Sequence, residues 1–131
     1  SPEHLADLAR ETGLPVALDE SLLEIDVSDL GAHLYAVAVV LKPVVLGGVR
    51  RAWQWAQAAR GLHMEAVVSA AFESGVGTRH ALALAAGLGD TPAGLDAYNQ
   101  LAEDVLHPRL SLGGPYVTLS EAWAPRTVAC P

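Results

Sequence analysis

The sequence predicts an α/β fold in which parallel strands alternate with outer helices. Three short segments with the composition of buried strands, Val16–Leu18, Ala36–Leu41 and Glu65–Val68, are separated by stretches with helical spacing of apolar residues. Ala36–Leu41 contains no polar residue, which is typical of a strand buried on both faces of a parallel sheet. Strands and helices that take turns along a chain are the pattern of a parallel sheet with helical crossovers.

The first helix and strand carry clear boundary signals. Ser1 has the residue type of an N-cap, Pro2 suits the first helical position, and Gly13 is expected to stop the helix after Thr12. The strand Val16–Leu18 then ends on Asp19. Ser28 is expected to cap a further helical turn or two that leads into Ala36–Leu41.

The middle of the chain predicts two more helices. Gly47-Gly48 should begin a helix that ends near Gly61 and whose inner face holds Val49, Ala52, Trp53 and Ala56. After Glu65–Val68, which ends on Ser69, a helix is expected from Ser74-Gly75 to about Leu88.

The last third of the chain is less regular. A very short strand is expected at residues 93–96, and a strand-like run covers residues 116–119, after the turn signals His107-Pro108 and Gly113-Gly114-Pro115. We therefore divide the chain into residues 1–98, with the βα units, and a C-terminal segment, residues 99–131, that packs back on them.

Composition and charge exclude several classes of function. With 51% hydrophobic and 18% charged residues among 131, the chain has enough apolar material for a core and is no disordered segment. The net charge of −7 argues against a nucleic-acid partner, which needs a basic surface. No apolar run is long enough to predict a membrane span, and the single Cys130 suits a reducing compartment, so we expect a cytoplasmic protein without a membrane partner.

Polar residues stand where the predicted strands end. Asp19, Lys42, Ser69 and Asp96 follow four successive strands, and in a (β/α)₈ barrel the carboxyl ends of the strands form the catalytic rim. The four side chains could therefore converge. A complete barrel has eight βα units in roughly 250 residues. This chain has about four such units and is therefore half a barrel by length.

These residue types suit acid–base chemistry on a metal-bound anion. Asp19 and Glu20 are hard oxygen ligands of the kind that Mg²⁺ takes. Pro43 favours an extended Lys42, which presents the ammonium at the strand end, where apolar neighbours and a cation would lower its pKa. The alternatives are a solvated acidic turn and a lysine that is merely the first solvated residue after a strand. The start of the helix at Ser74-Gly75 offers backbone amides to a carboxylate, although Ser74 also suits an ordinary N-cap.

Four motifs together resemble a known family. In the order in which they occur they are PVALDESL (residues 15–22), VVLKPVVLGG (39–48), AVVSAAFESGVG (66–77) and AGLDAYNQLAED (93–104). Their sequence is similar to the C-terminal half of the barrel in the o-succinylbenzoate synthase family, which belongs to the muconate-lactonizing-enzyme-like branch of the enolase superfamily.

The resemblance implies a role for each matching residue. Asp19 matches a magnesium ligand and Glu20 its neighbour, Lys42 matches the lysine that stabilises an enediolate, and Ser69 and Gly94 match positions near the substrate's succinyl carboxylate. The implied reaction is the Mg²⁺-dependent dehydration of a small-molecule carboxylate to 2-succinylbenzoate in menaquinone biosynthesis.

The family's remaining catalytic parts have no counterpart in the sequence. Its other metal ligands, its Lys-x-Lys base and its capping domain precede the matched region, and Lys42 is the only lysine in this chain. We therefore expect the chain to be inactive alone and to need the N-terminal half of the barrel and the capping domain, against which residues 99–131 could also pack. The alternatives are an N-succinylamino acid racemase and a non-catalytic half barrel that self-associates through its open sheet edges into a homo-oligomer.

Overall fold

The computed structural model describes residues 2–89, 91–124 and 126–127. Ser1, the predicted N-cap, and Cys130, from which a reducing compartment was inferred, lie outside the described residues. The helices are α1 (Pro2–Thr12), α2 (Pro43–Leu46), α3 (Val49–Gly61), α4 (Gly75–Leu88) and α5 (Leu119–Trp123). The strands are β1 (Val16–Leu18), β2 (Ala36–Leu41), β3 (Glu65–Val68), β4 (Leu106–His107) and β5 (Arg126–Thr127).

The centre of the fold is a parallel sheet in the order β1-β2-β3. Val39 in β2 stands beside Leu18 in β1 and Ala66 in β3, so the middle strand is paired along both edges. In the part of the chain that the structure describes, the sheet continues beyond β3 as a single parallel bridge between Ser69 and Gly94. The predicted α/β class with parallel strands and outer helices is thus confirmed, with bounds for β1, β2 and β3 as expected.

Helix α3 covers one face of this sheet. Ala52, Trp55, Ala56 and Ala59 are all buried, and they share one core with Val39 and Leu41 of β2 and Val68 of β3, among others. The alanines let the helix lie close to the strands, and Trp55 supplies most of the buried side-chain volume. Trp53, predicted on the inner face, is instead 41% exposed, because it lies on the flank of the helix beside Gly87 of α4. That placement was wrong.

Glycines follow the ends of α1 and α4, and the predicted stop at Gly13 is confirmed. Gly13 follows α1 with a φ of +67° and donates its N–H to Ala9 O at 3.0 Å, and Gly89 follows α4 with a φ of +101°. The left-handed conformation at a helix end costs glycine little because it has no Cβ.

Residues 20–46 contain three short helical segments, of which the sequence predicted only the one that leads into Ala36–Leu41. Two 3₁₀ helices, Glu20–Glu24 and Val27–His33, connect β1 to β2, and Asp26 rather than Ser28 is the N-cap of the second. Ser28 lies inside that helix, so its predicted capping role was wrong. The short α2 directly follows Lys42 and has Pro43 as its first residue, a position that the fixed φ of proline suits.

The C-terminal third corrects two further predictions. Residues 93–96 form no strand beyond the bridge at Gly94, and a 3₁₀ helix occupies Asp96–Gln100. Residues 116–119 are not a strand either. Thr118 accepts a hydrogen bond from Glu121 N, and the Glu121 carboxylate accepts one from Thr118 N–H; this capping box begins α5 at Leu119.

A second, smaller core holds this third together. It consists of Tyr98, Leu106, Leu110 and Ala122, against which Val76 and Leu82 of α4 also pack. Strands β4 and β5 pair antiparallel beside it. The division at residue 98 stays a prediction. In the part of the chain that the structure describes, none of the helices has the length and apolarity needed to cross a lipid bilayer.

Candidate functional site

The candidate site lies at the carboxyl end of the parallel sheet. Asp19, Lys42 and Ser69 are the residues that directly follow β1, β2 and β3. Because neighbouring parallel strands end at the same edge, the register of the sheet brings the first two side chains into contact. Lys42 has the extended backbone expected before a proline, with φ −103° and ψ 94°.

Lys42 forms ion pairs with two carboxylates. Its Nζ lies 2.7 Å and 2.9 Å from the two oxygens of Asp19, and 2.7 Å from Glu20 Oε1. The Lys42 side chain is only 19% exposed, whereas that of Glu20 is 77% exposed. The ammonium is therefore fixed at the strand end by Asp19, and the alternative of a merely solvated lysine does not describe it.

The pKa of Lys42 is shifted in the opposite direction to the one that the sequence predicted. Its pKa is raised, first by the hydrogen bond to Asp19 and then by that to Glu20, which together outweigh the opposing effect of burial. The hydrogen bond from Lys42 likewise lowers the pKa of Glu20. The lowered pKa predicted for Lys42 is wrong for this arrangement, because two carboxylates rather than apolar side chains surround the ammonium. The group is a fixed cation, not a base.

A cavity of about 290 Å³ opens above this ion-pair cluster. Asp19, Glu20 and Lys42 form its charged part. Its other walls are mainly apolar and include Leu23, Val45 and Phe72. The cavity therefore suits a small ligand with an anionic group at one end and an apolar body.

Ser69 and Gly94 lie together at the next position along the sheet. Gly94 N–H donates to Val68 O at 2.8 Å, and Ser69 Oγ donates to Gly94 O at 3.2 Å. A Cβ at Gly94 would stand 3.4 Å from Ser69 Oγ, which is van der Waals contact with the hydroxyl. Neither residue lines the cavity above Lys42. The predicted pair is thus adjacent to Lys42 in the strand order but outside its cavity.

Asp96 does not join the other strand-end residues. It begins the 3₁₀ helix Asp96–Gln100, and its Oδ1 accepts a hydrogen bond from Asn99 Nδ2 at 2.6 Å. Asp96 lines a separate cavity together with Gly94. The expectation that it converges with Lys42 was wrong, since the fourth strand is reduced to one bridging residue and the chain turns away.

The donor set at the strand ends suits a hard divalent cation only in part. Asp19 and Glu20 are carboxylates of the kind that Mg²⁺ binds, and both line the same cavity. Within residues 2–89, 91–124 and 126–127, however, no group of three or more His, Cys, Asp or Glu side chains is placed to hold a metal ion. The described residues could thus supply one or two of the ligands of a magnesium site.

The structure also reveals a half-buried carboxylate to which the sequence gave no role. Asp104 Oδ1 accepts hydrogen bonds from the backbone N–H groups of Gly75 and Val105, both at 2.8 Å, and Oδ2 accepts one from the Tyr98 hydroxyl at 2.6 Å. Gly75 is the first residue of α4, and the side chain of its N-cap, Ser74, forms no capping hydrogen bond. The helix start that was predicted to hold a carboxylate does hold one, but it belongs to the chain itself.

These hydrogen bonds keep Asp104 ionised. Burial opposes ionisation most, but the hydrogen bonds from the Tyr98 hydroxyl and the N–H groups of Gly75, Val105 and Leu106 lower the pKa of Asp104 below its ordinary value. Burial, followed by the contact with Asp104, raises the pKa of Tyr98.

We expect Asp104→Asn to lower the free energy of unfolding by about 2–3 kcal/mol at pH 7, because an amide donor would face groups that themselves donate. Since the folded-state pKa of Asp104 is lowered, its stabilising effect is complete above the ordinary value of 3.8 and is lost as the pH falls through the folded pKa. Urea unfolding at pH 7, 5 and 3 checks this: the difference in unfolding free energy between the parent and Asp104→Asn should shrink at pH 3.

The matched control is Asp7→Asn, which alters an exposed pair with Arg10 and should change stability by under about 0.5 kcal/mol. A constant difference at all three pH values would contradict the assignment.

Comparison with known proteins relates the chain to one group of enzymes. No protein-family model matches the sequence. An o-succinylbenzoate synthase from Yersinia pseudotuberculosis is 34% identical over 118 residues, which are 88% of this chain and 36% of the relative. The chain thus spans about a third of the length of this relative.

Two solved structures share the fold. An N-succinyl Arg/Lys racemase from Bacillus cereus matches with a TM-score of 0.74 at 22% identity, over 88% of this chain and 31% of its own. A muconate lactonizing enzyme from Pseudomonas fluorescens, solved with muconolactone, matches with a TM-score of 0.73 at 22% identity, over 85% of this chain and 31% of its own. The three-stranded sheet and its helices correspond to part of the barrel in these enolase-superfamily enzymes.

Proposed function

The chain is related in sequence to the o-succinylbenzoate synthases and in fold to other enolase-superfamily enzymes, and from this premise we propose that it is part of a magnesium-dependent o-succinylbenzoate synthase. The proposed reaction is the dehydration of 2-succinyl-6-hydroxy-2,4-cyclohexadiene-1-carboxylate to 2-succinylbenzoate in menaquinone biosynthesis. The chain would contribute the second half of the barrel, and the rest of the barrel and a capping domain would supply the other ligands and the base.

One observation carries this proposal. Lys42 Nζ is held 2.7 Å from both Asp19 and Glu20, at the rim of a cavity with apolar walls. Removal of a proton α to a carboxylate creates a second negative charge on the substrate, and the barrier falls when a fixed cation already stands beside that charge. A lysine held by carboxylates on a strand end is such a cation, since its raised pKa keeps it protonated.

In the proposed reaction the residues of this chain bind, orient and stabilise. A base from the other half of the barrel would take the proton and, as its conjugate acid, return it to the adjacent hydroxyl, which leaves as water and makes the ring aromatic. Lys42 stabilises the developing charge, and Asp19, with Glu20 beside it, takes part in holding Mg²⁺. The metal, when bound, neutralises charge on the substrate carboxylate. Ser69 and Gly94 would lie near the succinyl carboxylate, to which the Ser69 hydroxyl would donate in place of its present acceptor, Gly94 O.

A racemase acting on N-succinylamino acids is the second candidate. The structural match to the N-succinyl Arg/Lys racemase favours it, because both reactions begin with the loss of a proton α to a carboxylate. Lys42 would stabilise the same kind of intermediate in both. The two reactions differ in their second step, which is loss of a hydroxyl in the dehydration and return of the proton in the racemisation, so an assay with each substrate separates them.

A chimaera tests the proposed function directly. The part of the Yersinia relative that precedes the matched segment is joined to this chain, so that a complete barrel and capping domain result. We expect the chimaera, but not the 131-residue chain alone, to form 2-succinylbenzoate in the presence of Mg²⁺. A folded chimaera that lacks this activity would refute the proposed function, and turnover by the isolated chain would refute the need for the missing half. Racemisation of N-succinylamino acids without dehydration would favour the second candidate.

Asp19→Asn in the same chimaera tests the metal ligand. Loss of a charged oxygen ligand should raise the Mg²⁺ concentration for half-maximal activity by at least about tenfold. Asp26→Asn is the matched control, because Asp26 is an exposed carboxylate whose contact with Arg51 at 3.8 Å lies outside the cavity. Equal Mg²⁺ requirements for the two variants would remove Asp19 from the metal site.

A further inference from the structure

The turn between β3 and α4 holds Phe72 in an unusual conformation. Phe72 has a φ of +60°, in the left-handed region, and its side chain is 64% exposed. His63 also has a φ of +60°, but it follows the end of α3, where a left-handed residue is common. A bulky residue in this region costs roughly 1 kcal/mol or more. Neither helix capping nor burial in the core accounts for the cost at Phe72.

Neighbouring residues keep this turn in place. Ala71 N–H donates to Glu73 Oε2 at 2.5 Å, so the Glu73 side chain folds back across the turn. It can do so because Gly77 has no side chain: a Cβ there would stand 2.7 Å from Glu73 Cγ and 2.8 Å from Glu73 Cβ. The conformation of Phe72 thus depends on Glu73 and Gly77, and not on packing of its own ring.

The turn places the ring of Phe72 on the wall of the cavity above Lys42. Leu23 and Val45 line the same cavity, and both are also exposed large apolar side chains. The three form an apolar wall contributed by three different segments of the chain. Lys42 and the two carboxylates form the charged part of the same cavity, so an anionic group bound there would leave the body of the ligand next to this wall.

We propose that Phe72 is a specificity-determining residue that contacts the ring of the substrate while its carboxylate lies near Lys42. The inference rests on the proposed function and names the part of the ligand that the turn recognises: an apolar six-membered ring next to a carboxylate. Backbone strain at Phe72 is retained because it directs the aromatic side chain to the ligand.

Isothermal titration calorimetry tests this proposal. Two probes are titrated into the chimaera with the Yersinia relative, which is the complete enzyme, in the presence of Mg²⁺. 2-Succinylbenzoate has the ring and succinate lacks it. We expect Phe72→Ala to weaken 2-succinylbenzoate binding by about tenfold or more, with succinate affinity unchanged within about twofold. Phe72→Leu should retain most of the affinity. Gly77→Ala should act like Phe72→Ala, because it displaces Glu73. Leu34→Ala, which removes an exposed leucine outside the cavity, should change neither affinity.

Phe72→Gly separates a functional role from a structural one. Glycine accepts a φ of +60° without strain, so this variant should unfold at the same or a higher temperature than the parent while losing ring affinity. A lower unfolding temperature with unchanged affinity would overturn the inference. So would equal losses for both probes, or no binding of 2-succinylbenzoate by the parent. If Phe72→Ala loses affinity for 2-succinylbenzoate but not for succinate, and the parent chimaera catalyses no dehydration, only the proposed reaction is refuted. If the parent catalyses dehydration, and Phe72→Ala has unchanged KM and unchanged affinity, only the role of Phe72 is refuted.

Discussion

Replacement of Lys42 by alanine is expected to lower kcat for 2-succinylbenzoate formation by about 10³-fold in the complete enzyme, while the fold is retained. The reason is that, in the described part of the chain, Lys42 is the one cation that lines the cavity. Removal of a single preorganised group that stabilises the transition state commonly lowers kcat by two to three orders of magnitude. Because the charge is needed most in the transition state, KM should change far less than kcat. Steady-state kinetics with Lys42→Ala and thermal unfolding of the same preparation measure both effects.

The control for Lys42 is a second cation of this chain. Arg51→Ala also removes a positive charge that faces an acidic residue, Asp26 at 3.8 Å, but at an exposed position outside the cavity. Arg51→Ala should leave kcat within about twofold of the parent value, as expected for a surface ion pair. Lys42→Met retains the apolar stem and should be as inactive as Lys42→Ala. Near-normal kcat in either Lys42 variant would show that the ammonium does not stabilise the reaction.

Gly75→Ala is expected to destabilise the protein by about 3 kcal/mol. Alanine is ordinarily favoured over glycine in a helix by up to about 1 kcal/mol, so the expected sign is opposite to the general rule. A Cβ at Gly75 would stand 2.6 Å from Leu106 Cδ1 and would also contact the Asp104 carboxylate. Neither neighbour can move away at low cost, since Leu106 is buried and Asp104 is held by Tyr98 and by the backbone.

Gly61→Ala is the matched control for this prediction. Gly61 ends α3, and a Cβ there would meet no atom within 4 Å. This change should leave stability equal or raise it by up to about 1 kcal/mol. Denaturant unfolding of both variants gives the comparison. A Gly75→Ala protein as stable as Gly61→Ala would mean that the contact between Asp104 and the helix start is dispensable.

The parallel sheet and the ion-pair site were accessible from sequence because both depend on local signals. A run without polar residues predicted Ala36–Leu41, and Pro43 predicted the extended Lys42 at its end. Asp19 follows the neighbouring strand, so the parallel topology alone predicted that it would approach Lys42. Its effect on the lysine's pKa was not predicted, because it depends on distances of 2.7–2.9 Å that sequence does not contain.

The missed features depend on contacts between distant residues. Asp104 reaches Gly75 across 29 positions of the chain, and nothing local distinguishes it from the exposed Glu103 beside it. Residues 116–119 have the composition of a strand, but the capping box between Thr118 and Glu121 stabilises the start of a helix at Leu119 instead. Phe72 gave no signal as a site residue, because a φ of +60° is unexpected for phenylalanine; its place between a strand end and a helix start was the available hint.

The carboxylate at the start of α4 bears on which anions the protein can accept. In many barrel enzymes a helix start near the last strands binds the phosphate of a substrate through free backbone N–H groups. Here Asp104 already accepts the N–H of Gly75, and its negative charge repels any other anion. Inorganic phosphate would have to displace Asp104 from the N–H of Gly75 to bind at this helix start, and the hydrogen bonds that it would break are the same ones that hold the C-terminal segment against α4.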